Sequence, residues 1–503
     1  MSLRTLKTTA LAAVATLALA ACGSGGGSAD DTAGAAQPGE NEIVIGSTNE
    51  PTSLQRFVGG SSGVSQTMTR NVYEPLVAID VDGEIVPALA ETWDISEDAL
   101  TYTFHLREGV TFHDGTPFTS ADAVWALTEI ISDESVAARK SDLAVMDRIT
   151  AVDEQTVEVV LSAPTRSLLF YLAGVTIVKD GDTEHTTENG TGPYELVEWA
   201  QGDYLTIAPY EEYWGDAPAN DGVTFRFFTD TTALNNALLT GDLDLVIAED
   251  SPDQLAQFEG NDAFTISEGS STTKQIWAFN DRVAPFDDVR VRQGLYRAID
   301  RESILEAVWA GRGEVVGSMV PPTDPWFVDV ADTHAYDPES ARQLLGEAGV
   351  EDLTITLDYV AGDTEETIAQ LLQSDLADVG VTLELNPIDD ATWYERIYTN
   401  HDFETTLMGH VNPRDMLWYA NPDFYWGYDS AEVQQLVADS ERAGSEEEQA
   451  ELLSQANVLM AEEAASAWLY LEPQIRVAAA GVTGFPVDQV TESFYVADIT
   501  RES

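Results

Sequence analysis

The chain carries one cysteine in 503 residues, and the residues before it suit acylation. Arg4 and Lys7 open a basic stretch, 10–21 is apolar apart from Thr16, and the run ends Leu19-Ala20-Ala21-Cys22. A membrane-spanning helix needs about 20 apolar residues, so this shorter run reads as a cleavable export signal over 1–21. Small residues leading into a cysteine look like the lipobox cut by signal peptidase II. On that reading Cys22 becomes the first residue and takes lipid; an ordinary signal peptide with a chance cysteine is the plainer alternative. Two or more acyl chains hold stably to a bilayer where one holds marginally.

Catalytic chemistry has one foothold. Gly59-Gly60-Ser61-Ser62-Gly63 matches Gly-x-Ser-x-Gly, which activates a serine only on a sharp strand-to-helix turn. The preceding 53–58 contains Gln55 and Arg56 and makes a poor buried strand, and no partner His or Asp is identifiable from spacing. A secreted serine hydrolase using Ser61 is therefore the rival from another class, and no enzyme is the main expectation. The six histidines show no zinc spacing; only His401 and His410, nine apart, are placed to meet. No phosphate-binding loop or dinucleotide fingerprint occurs, so no cofactor and no metal are expected.

Binding chemistry is better supplied. Arg414-Asp415 sets a guanidinium beside a carboxylate, and charge-assisted hydrogen bonds from such a pair suit a zwitterion. The competing reading is a surface turn, for which Asn412-Pro413-Arg414-Asp415 is good chemistry. Trp393, Tyr394, Trp418, Tyr419, Phe424, Tyr425, Trp426 and Tyr428 crowd into 393–428. Aromatic walls offer apolar area with a polar tip, as ligand clefts do, although core packing accounts for each ring equally well; two or three are expected to reach a cleft.

Formal net charge is −64, from 88 acidic against 24 basic side chains. Such a surface repels phosphate backbones and anionic lipid, which excludes nucleic acid as a partner and leaves the lipid on Cys22 as the membrane tether. Solubility or salt adaptation explains the acidity more readily than attraction of cationic or zwitterionic ligands. Beyond the signal the length calls for two or three domains. With Cys22 lipidated no thiol remains for a disulfide, so stability must come from packing.

These residues need elements to hold them. Residues 22–40, rich in Gly, Ser, Ala and Asp, read as a flexible tether of about 20–25 Å mean span. Ile43-Val44-Ile45 is a buried-type strand, and Asp82-Gly83 between apolar runs signals a hairpin. Leu100, Tyr102, Phe104 and Leu106 alternate with polar residues as a strand whose His105 faces outward. Thr119-Ser120-Ala121-Asp122 opens a helix with Val124, Leu127 and Ile131 on one face. Asp337-Pro338 starts a helix that Gly349 ends. Leu353 to Tyr359 alternates as a strand, a helix from about Thr364 ends at Gly380, and 381–385 is a strand. Together they form a βαβ unit that implies a parallel sheet. Ser445-Glu446-Glu447-Glu448 is a capping box. The class is α/β in at least two lobes.

From Asn71 onward the chain resembles the family 5 solute-binding proteins of ABC importers, the dipeptide, oligopeptide and nickel-binding group. The resemblance rests on Asn71-Val72-Tyr73-Glu74-Pro75-Leu76, Val86-Pro87-Ala88-Leu89-Ala90-Glu91-Thr92-Trp93 and Phe112-His113-Asp114-Gly115-Thr116-Pro117-Phe118. It continues through Gly190-Thr191-Gly192-Pro193-Tyr194, Tyr213-Trp214-Gly215, Pro285-Phe286-Asp287-Asp288-Val289-Arg290-Val291-Arg292 and Tyr336-Asp337-Pro338. It implies a two-lobe, periplasmic-binding-protein-like fold of class II topology with an extra subdomain in the first lobe. By analogy lobe I is 41–71 with 182–270 and 475–503, the extra subdomain is 72–181, and lobe II is 271–474. The expected function is capture of a peptide or peptide-like solute by lobe closure outside the cytoplasm, as a lipid-anchored monomer, with delivery to an ABC permease and its ATPase. A nickel chelate, an opine or an oligosaccharide is the alternative cargo. The resemblance puts the 408–415 segment, with Gly409, His410, Val411, Asn412, Arg414 and Asp415, on the ligand-facing wall of lobe II. Peptide-binding members carry an aspartate after a Gly-Trp pair there to hold the peptide's amino terminus; here His410 follows Gly409 and Pro413 stands at the usual aspartate position, which departs from that pattern. Asn49, Glu50 and Pro51 after the first strand, Trp277 near the lobe crossing, and Trp393 and Trp426 complete the expected site.

Overall fold

Strands form where apolar residues alternate or run together, and the longest such runs build one sheet. The computed structural model describes residues 41–54, 62–133, 135, 137, 140–181, 188–350, 353–412 and 414–502. Ten strands form the main sheet: β1 Glu42–Ser47, β2 Tyr194–Ala200, β3 Tyr204–Pro209, β4 Gly222–Phe227, β5 Leu245–Val246, β6 Phe264–Phe279, β7 Thr354–Val360, β8 Thr382–Ile388, β9 Thr405–His410 and β10 Ala467–Ala479. Their spatial order is β8-β7-β9-β6-β10-β5-β1-β4-β3-β2. β1 runs parallel to β4 and β5, and β7 parallel to β8 and β9. The remaining pairings are antiparallel, so the sheet is mixed, with parallel wings on either side of an antiparallel centre.

That centre is the ribbon of β6, 16 residues long, and β10, 13 residues long. The near half of β6, from Phe264 to Ser270, pairs with Ala479 to Pro473 of β10. Its far half, from Lys274, pairs with Leu471 to Ala467 on one side and with β9 on the other. The register breaks between Ser270 and Lys274. An irregularity of this kind bends a strand and raises its local twist.

Two hydrophobic clusters make up the core, and the second runs through the ribbon. One gathers Ile43, Val72, Tyr102, Phe104, Leu127, Tyr194, Phe225 and Ile499 with their neighbours. The other gathers Trp277, Phe279, Leu295, Leu357, Leu372, Trp426 and Trp468 with theirs.

The expected βαβ unit is present as β7, the helix Asp363–Asp378 and the parallel β8, which runs to Ile388. Val77–Ile79 and Ile85–Pro87 form the hairpin, turned by Gly83 at φ +80°. A separate four-stranded antiparallel sheet, in spatial order Ala90–Ile95, Thr101–Leu106, Thr156–Leu161, Met146–Asp153, includes the alternating strand with Tyr102, Phe104 and Leu106 buried. His105 is half-buried on its other face, 3.0 Å from Asp94.

Two local readings need adjusting. The helix Ser120–Ile131 buries Ala123, Ala126, Leu127 and Ile130, with Val124 and Ile131 only partly covered. Two alanines on one stripe let the helix approach closely there, and the bulkier residues flank the contact. At the helix Glu446–Glu462, Ser445 Oγ accepts from Glu448 N–H as a capping box requires, but the Glu448 carboxylate accepts from Gly444 N–H at 2.8 Å.

Glycine is sterically required in the Gly190-Thr191-Gly192 turn. A Cβ on Gly190 would lie 1.8 Å from the Val72 carbonyl oxygen, and one on Gly192 would lie 2.5 Å from that of Asn71. The close approach lets Gly192 N–H donate to Val72 C=O at 3.0 Å.

Candidate functional site

In open α/β sheets, ligands bind beyond the carboxyl ends of the parallel strands. Those ends here are the loops after β1 and β5 in one wing and after β7, β8 and β9 in the other.

After β1, Asn49 is exposed, Glu50 half-buried and Pro51 buried. Glu50 Oε1 accepts from Gly202 N–H at 2.7 Å and from Trp199 Nε1–H at 3.2 Å, so its carboxylate pins the loop to the β2–β3 turn. The helix Ser62–Met68 packs directly on this loop: a Cβ on Gly63 would stand 2.6 Å from the Asn49 carbonyl oxygen.

After β9 the chain turns through Val411 and Asn412, both exposed, to Arg414, which takes the left-handed conformation at φ +63°. The turn is tied down from β6. Thr272 Oγ1 donates to Val411 C=O and Lys274 Nζ to Asn412 C=O, each at 2.8 Å. Lys274 has no exposed side-chain surface and Asp415 only 2%. Nζ and Oδ2 stand 3.6 Å apart. His410 Nδ1 lies 3.4 Å from the same Oδ2, and its Nε2 is 2.9 Å from Tyr425 OH. Burial pulls the Lys274 ammonium below its ordinary pKa, against the opposing pull of Asp415. Asp324 lies near this pair, and burial lifts its carboxyl to about 6 although Arg414 and Lys274 work the other way.

Arg414 lays its guanidinium between two rings, 4.0 Å from the centroid of Phe170 and 4.5 Å from that of Trp326, and Nη1 donates to Ser167 Oγ at 3.1 Å. A cation so placed gains from both ring faces. It lines a cavity of about 260 Å³ together with Arg166, Phe170, Trp326, Glu446 and Glu447. The cavity joins the helix Leu168–Ala173, the Gly83 hairpin and the helix Glu446–Glu462.

The three tryptophans expected at the site lie inside the packing. Trp277 and Trp426 are fully buried, Trp426 stacked on Tyr419 with centroids 4.1 Å apart. Trp393 donates its Nε1–H to Thr406 Oγ1 at 2.9 Å. Of the aromatic group, Tyr394 and Trp418 keep exposed surface. Gly409 pairs with Gln275 in the sheet, and its missing side chain leaves room beside the Gln275 amide. Cys22 and Ser61 lie outside the described residues, as does Pro413.

A second group escaped sequence reasoning. Tyr470 and Glu472 share one face of β10, two residues apart, with the Tyr470 partner Gln275 on the same face. Tyr470 is fully buried and Gln275 is 3% exposed. Asp250 follows β5; Glu249 N–H donates to Ile475 C=O at 2.9 Å, which brings Asp250 alongside the Glu472 stretch. Glu365 sits in the first turn of the helix after β7. Burial raises the Glu472 pKa to about 7, and the charges of Asp250 and Glu365 add to the rise. Asp250 keeps exposed surface, and desolvation raises its carboxyl too. One signal was available: Glu472 is the lone acid in the apolar run of β10.

A family model, that of bacterial extracellular solute-binding proteins, family 5 Middle, matches residues 84–434. The chain belongs to the family 5 extracellular solute-binding proteins. It is thus a solute-binding protein of the kind that serves ABC importers, and its place is outside the cytoplasm. Among family 5 relatives, the glutathione-binding protein GsiB of Pectobacterium atrosepticum is 30% identical over 359 residues, 69% of each chain. The dipeptide-binding protein of Escherichia coli is 26% identical over 392 residues, 71% of this chain and 72% of that one. The ABC transporter substrate-binding protein CtaP of Listeria monocytogenes shares the fold with a TM-score of 0.81 at 24% identity, covering 92% of this chain and all of that one. The first two are named as binding proteins and the third as an ABC transporter substrate-binding protein.

Proposed function

We propose that this protein captures a peptide or peptide-like solute between the two wings of its main sheet and hands it to an ABC permease. The observation that carries the reading is the β6–β10 ribbon: two strands join the wings, and the register of one breaks at the crossing. A ribbon so interrupted is a natural hinge, and closure about it gains free energy only from a ligand gripped on both sides. In this reading lobe I is 41–71, 182–270 and 475–503, the extra subdomain is 72–181, and lobe II is 271–474. One hydrophobic cluster joins lobe I to the extra subdomain, and the other crosses from lobe II to Leu234, Leu238, Leu243 and Val246 of lobe I, so the division rests on the ribbon and the family resemblance. Asn49 and Glu50 face the cleft from one lobe, and Gly409, Val411, Asn412 and Arg414 from the other. Asp415 and His410 act from beneath, holding Lys274 and with it the Asn412 carbonyl. Cys22 carries lipid and keeps the monomeric receptor at the membrane, on the strength of the 1–22 sequence alone.

Small-angle scattering and calorimetry on the body from residue 41 test the capture. Glutathione, dialanine and trialanine are the probes. Saturable binding with a fall in radius of gyration is expected; binding of none, or binding with no change in dimension, refutes closure on a peptide-like cargo. Cys22→Ser should move the full-length protein from membrane to soluble fraction.

A further inference from the structure

Ser167 precedes the helix Leu168–Ala173 in the extra subdomain, and side chains of lobe II converge on it. Its Oγ donates to Glu441 Oε1 at 2.5 Å and accepts from Arg414 Nη1 at 3.1 Å and from Gln449 Nε2 at 3.4 Å. The hydroxyl thereby uses its one donor and both of its acceptor positions. Ser167 N–H donates to the second oxygen of the same Glu441 carboxylate at 3.0 Å, so the glutamate holds backbone and side chain together. Beside it, Arg166 N–H donates to Glu441 C=O at 3.1 Å and Arg166 Nη1 to Ala443 C=O at 3.2 Å. Ser167 has no exposed surface. Tyr102 OH donates to Thr165 C=O at 3.0 Å and ties this loop to the four-stranded sheet of its own subdomain.

The surroundings are those of a joint that can part. Neither hydrophobic cluster holds residues of both 72–181 and 271–474, so among the described residues the two bodies share no apolar cluster. The cavity of about 260 Å³ lies between them, lined by Leu169 and Phe170 on one side and by Trp326 and Ala450 on the other. Domains that meet through polar contacts are expected to move relative to one another, whereas a large apolar interface would fix them. The socket also stands apart from the hinge. Arg414 follows the turn at the carboxyl end of β9, on the cleft side of lobe II, while the ribbon crosses between Ser270 and Lys274.

We propose that Ser167 and Glu441 are positioning residues for solute capture: they form a latch that the extra subdomain makes with lobe II on closing, and neither touches the solute. The latch takes in Arg414, the end of the 409–414 wall, so closing on Ser167 also fixes that guanidinium. A contact made only in the closed form raises the fraction of closed molecules, and with it the apparent affinity, without touching the cargo. The inference rests on the solute-capture reading and deepens it.

Pulsed electron paramagnetic resonance on the full-length Cys22→Ser protein tests it, because Cys22 is the only cysteine. Spin labels go on Glu97→Cys in the extra subdomain and Glu432→Cys in lobe II, both exposed positions. Without solute, Ser167→Ala and Glu441→Gln should each move weight from shorter to longer distances. The expected rise in the open-to-closed ratio is about tenfold, the effect of losing a charge-assisted hydrogen bond. A merely structural contact would lower the melting temperature and leave the distances alone, so unchanged distances in both variants overturn the latch. Glutathione, dialanine and trialanine are then titrated by calorimetry. Whichever the parent binds should bind the variants more weakly and return them to the shorter distances. Distances that shift while none of the three binds the parent uphold the latch and overturn capture of a peptide-like cargo. Equal binding by parent and variants with unchanged distances does the reverse.

Discussion

Substituting Asp415 by alanine would strand the Lys274 ammonium inside the protein. At 3.6 Å and an effective dielectric constant near 20, the pair's attraction is about 4–5 kcal/mol. Breaking a buried pair from one side ordinarily costs about 3–5 kcal/mol, since the charge left behind keeps its desolvation penalty. Asp324 and the Asn412 carbonyl stay in place and soften the loss, which points to the lower half of that range. The double substitution Lys274→Met with Asp415→Leu removes both charges and should recover most of the stability. Urea unfolding followed by tryptophan fluorescence is a suitable assay, because Trp277, Trp426 and Trp468 sit in the same core as this pair. If Asp415→Ala changes stability by less than about 1 kcal/mol, or the double variant is as weak as the single, Asp415 is not a structural counter-ion. It would then return as a free ligand for a solute's amine.

Other outcomes follow from the same coordinates. Gly190→Ala puts a methyl 1.8 Å from the Val72 carbonyl oxygen and should cost about 3 kcal/mol, the upper end for overpacking; an unchanged unfolding midpoint would show the turn has slack. Glu74 and Glu472 are raised to about 7 and Asp281 to about 8. Acids raised on folding stabilise fully below their unfolded pKa near 4 and lose that contribution progressively from there up to their folded values of about 7 to 8. His334 is depressed to about 4, so its contribution is lost as pH falls from 6.5 toward 4. Three acids outweigh one histidine where the two windows overlap, so thermal stability from these groups should fall from about pH 5 to about pH 8, and a rise across that interval would contradict the burial of the three acids. Salt raised from about 0.01 M to about 1 M shortens the Debye length from about 30 Å to about 3 Å, so the melting temperature of this −64 chain should rise; a fall would refute net self-repulsion.

Local periodicity made the elements legible. Alternation over 353–359 and the caps at Asp337 and Thr119 are short-range signals, and each appears in the fold where the pattern put it. The family resemblance supplied the topology, which no local pattern contains: β1 pairs with β4 across nearly two hundred residues. The site was less legible because burial is a long-range property. Trp277, Trp393 and Trp426 have the composition of a ligand wall, but their neighbours in space are other core residues brought from Leu295, Thr406 and Trp468. Asp415 has the same sequence signature whether it meets a solute or Lys274, and only the pairing of β6 with β9 decides between them. Glu472 was visible as an acid in an apolar strand, but Asp250 and Glu365 join it only through the crossing of the two wings.

The placement of the basic residues gives the acidity a direction. Lys and Arg number 24, and several of them face inward as donors to backbone carbonyls rather than outward as surface charge. Arg292 donates to the carbonyls of Phe286, Glu463 and Ala464, and Arg301 to those of Val316 and Ala331. Lys274, Arg292, Arg301 and Arg476 are buried. Part of the scarce positive charge thereby lies inside, which leaves the surface the more acidic. Clefts lined by one sign of charge between low-dielectric walls concentrate that field and raise the local concentration of the opposite ion. For an anionic cargo the arrangement would be an obstacle at every stage of approach. For a cationic one, the same field would raise its local concentration at the surface.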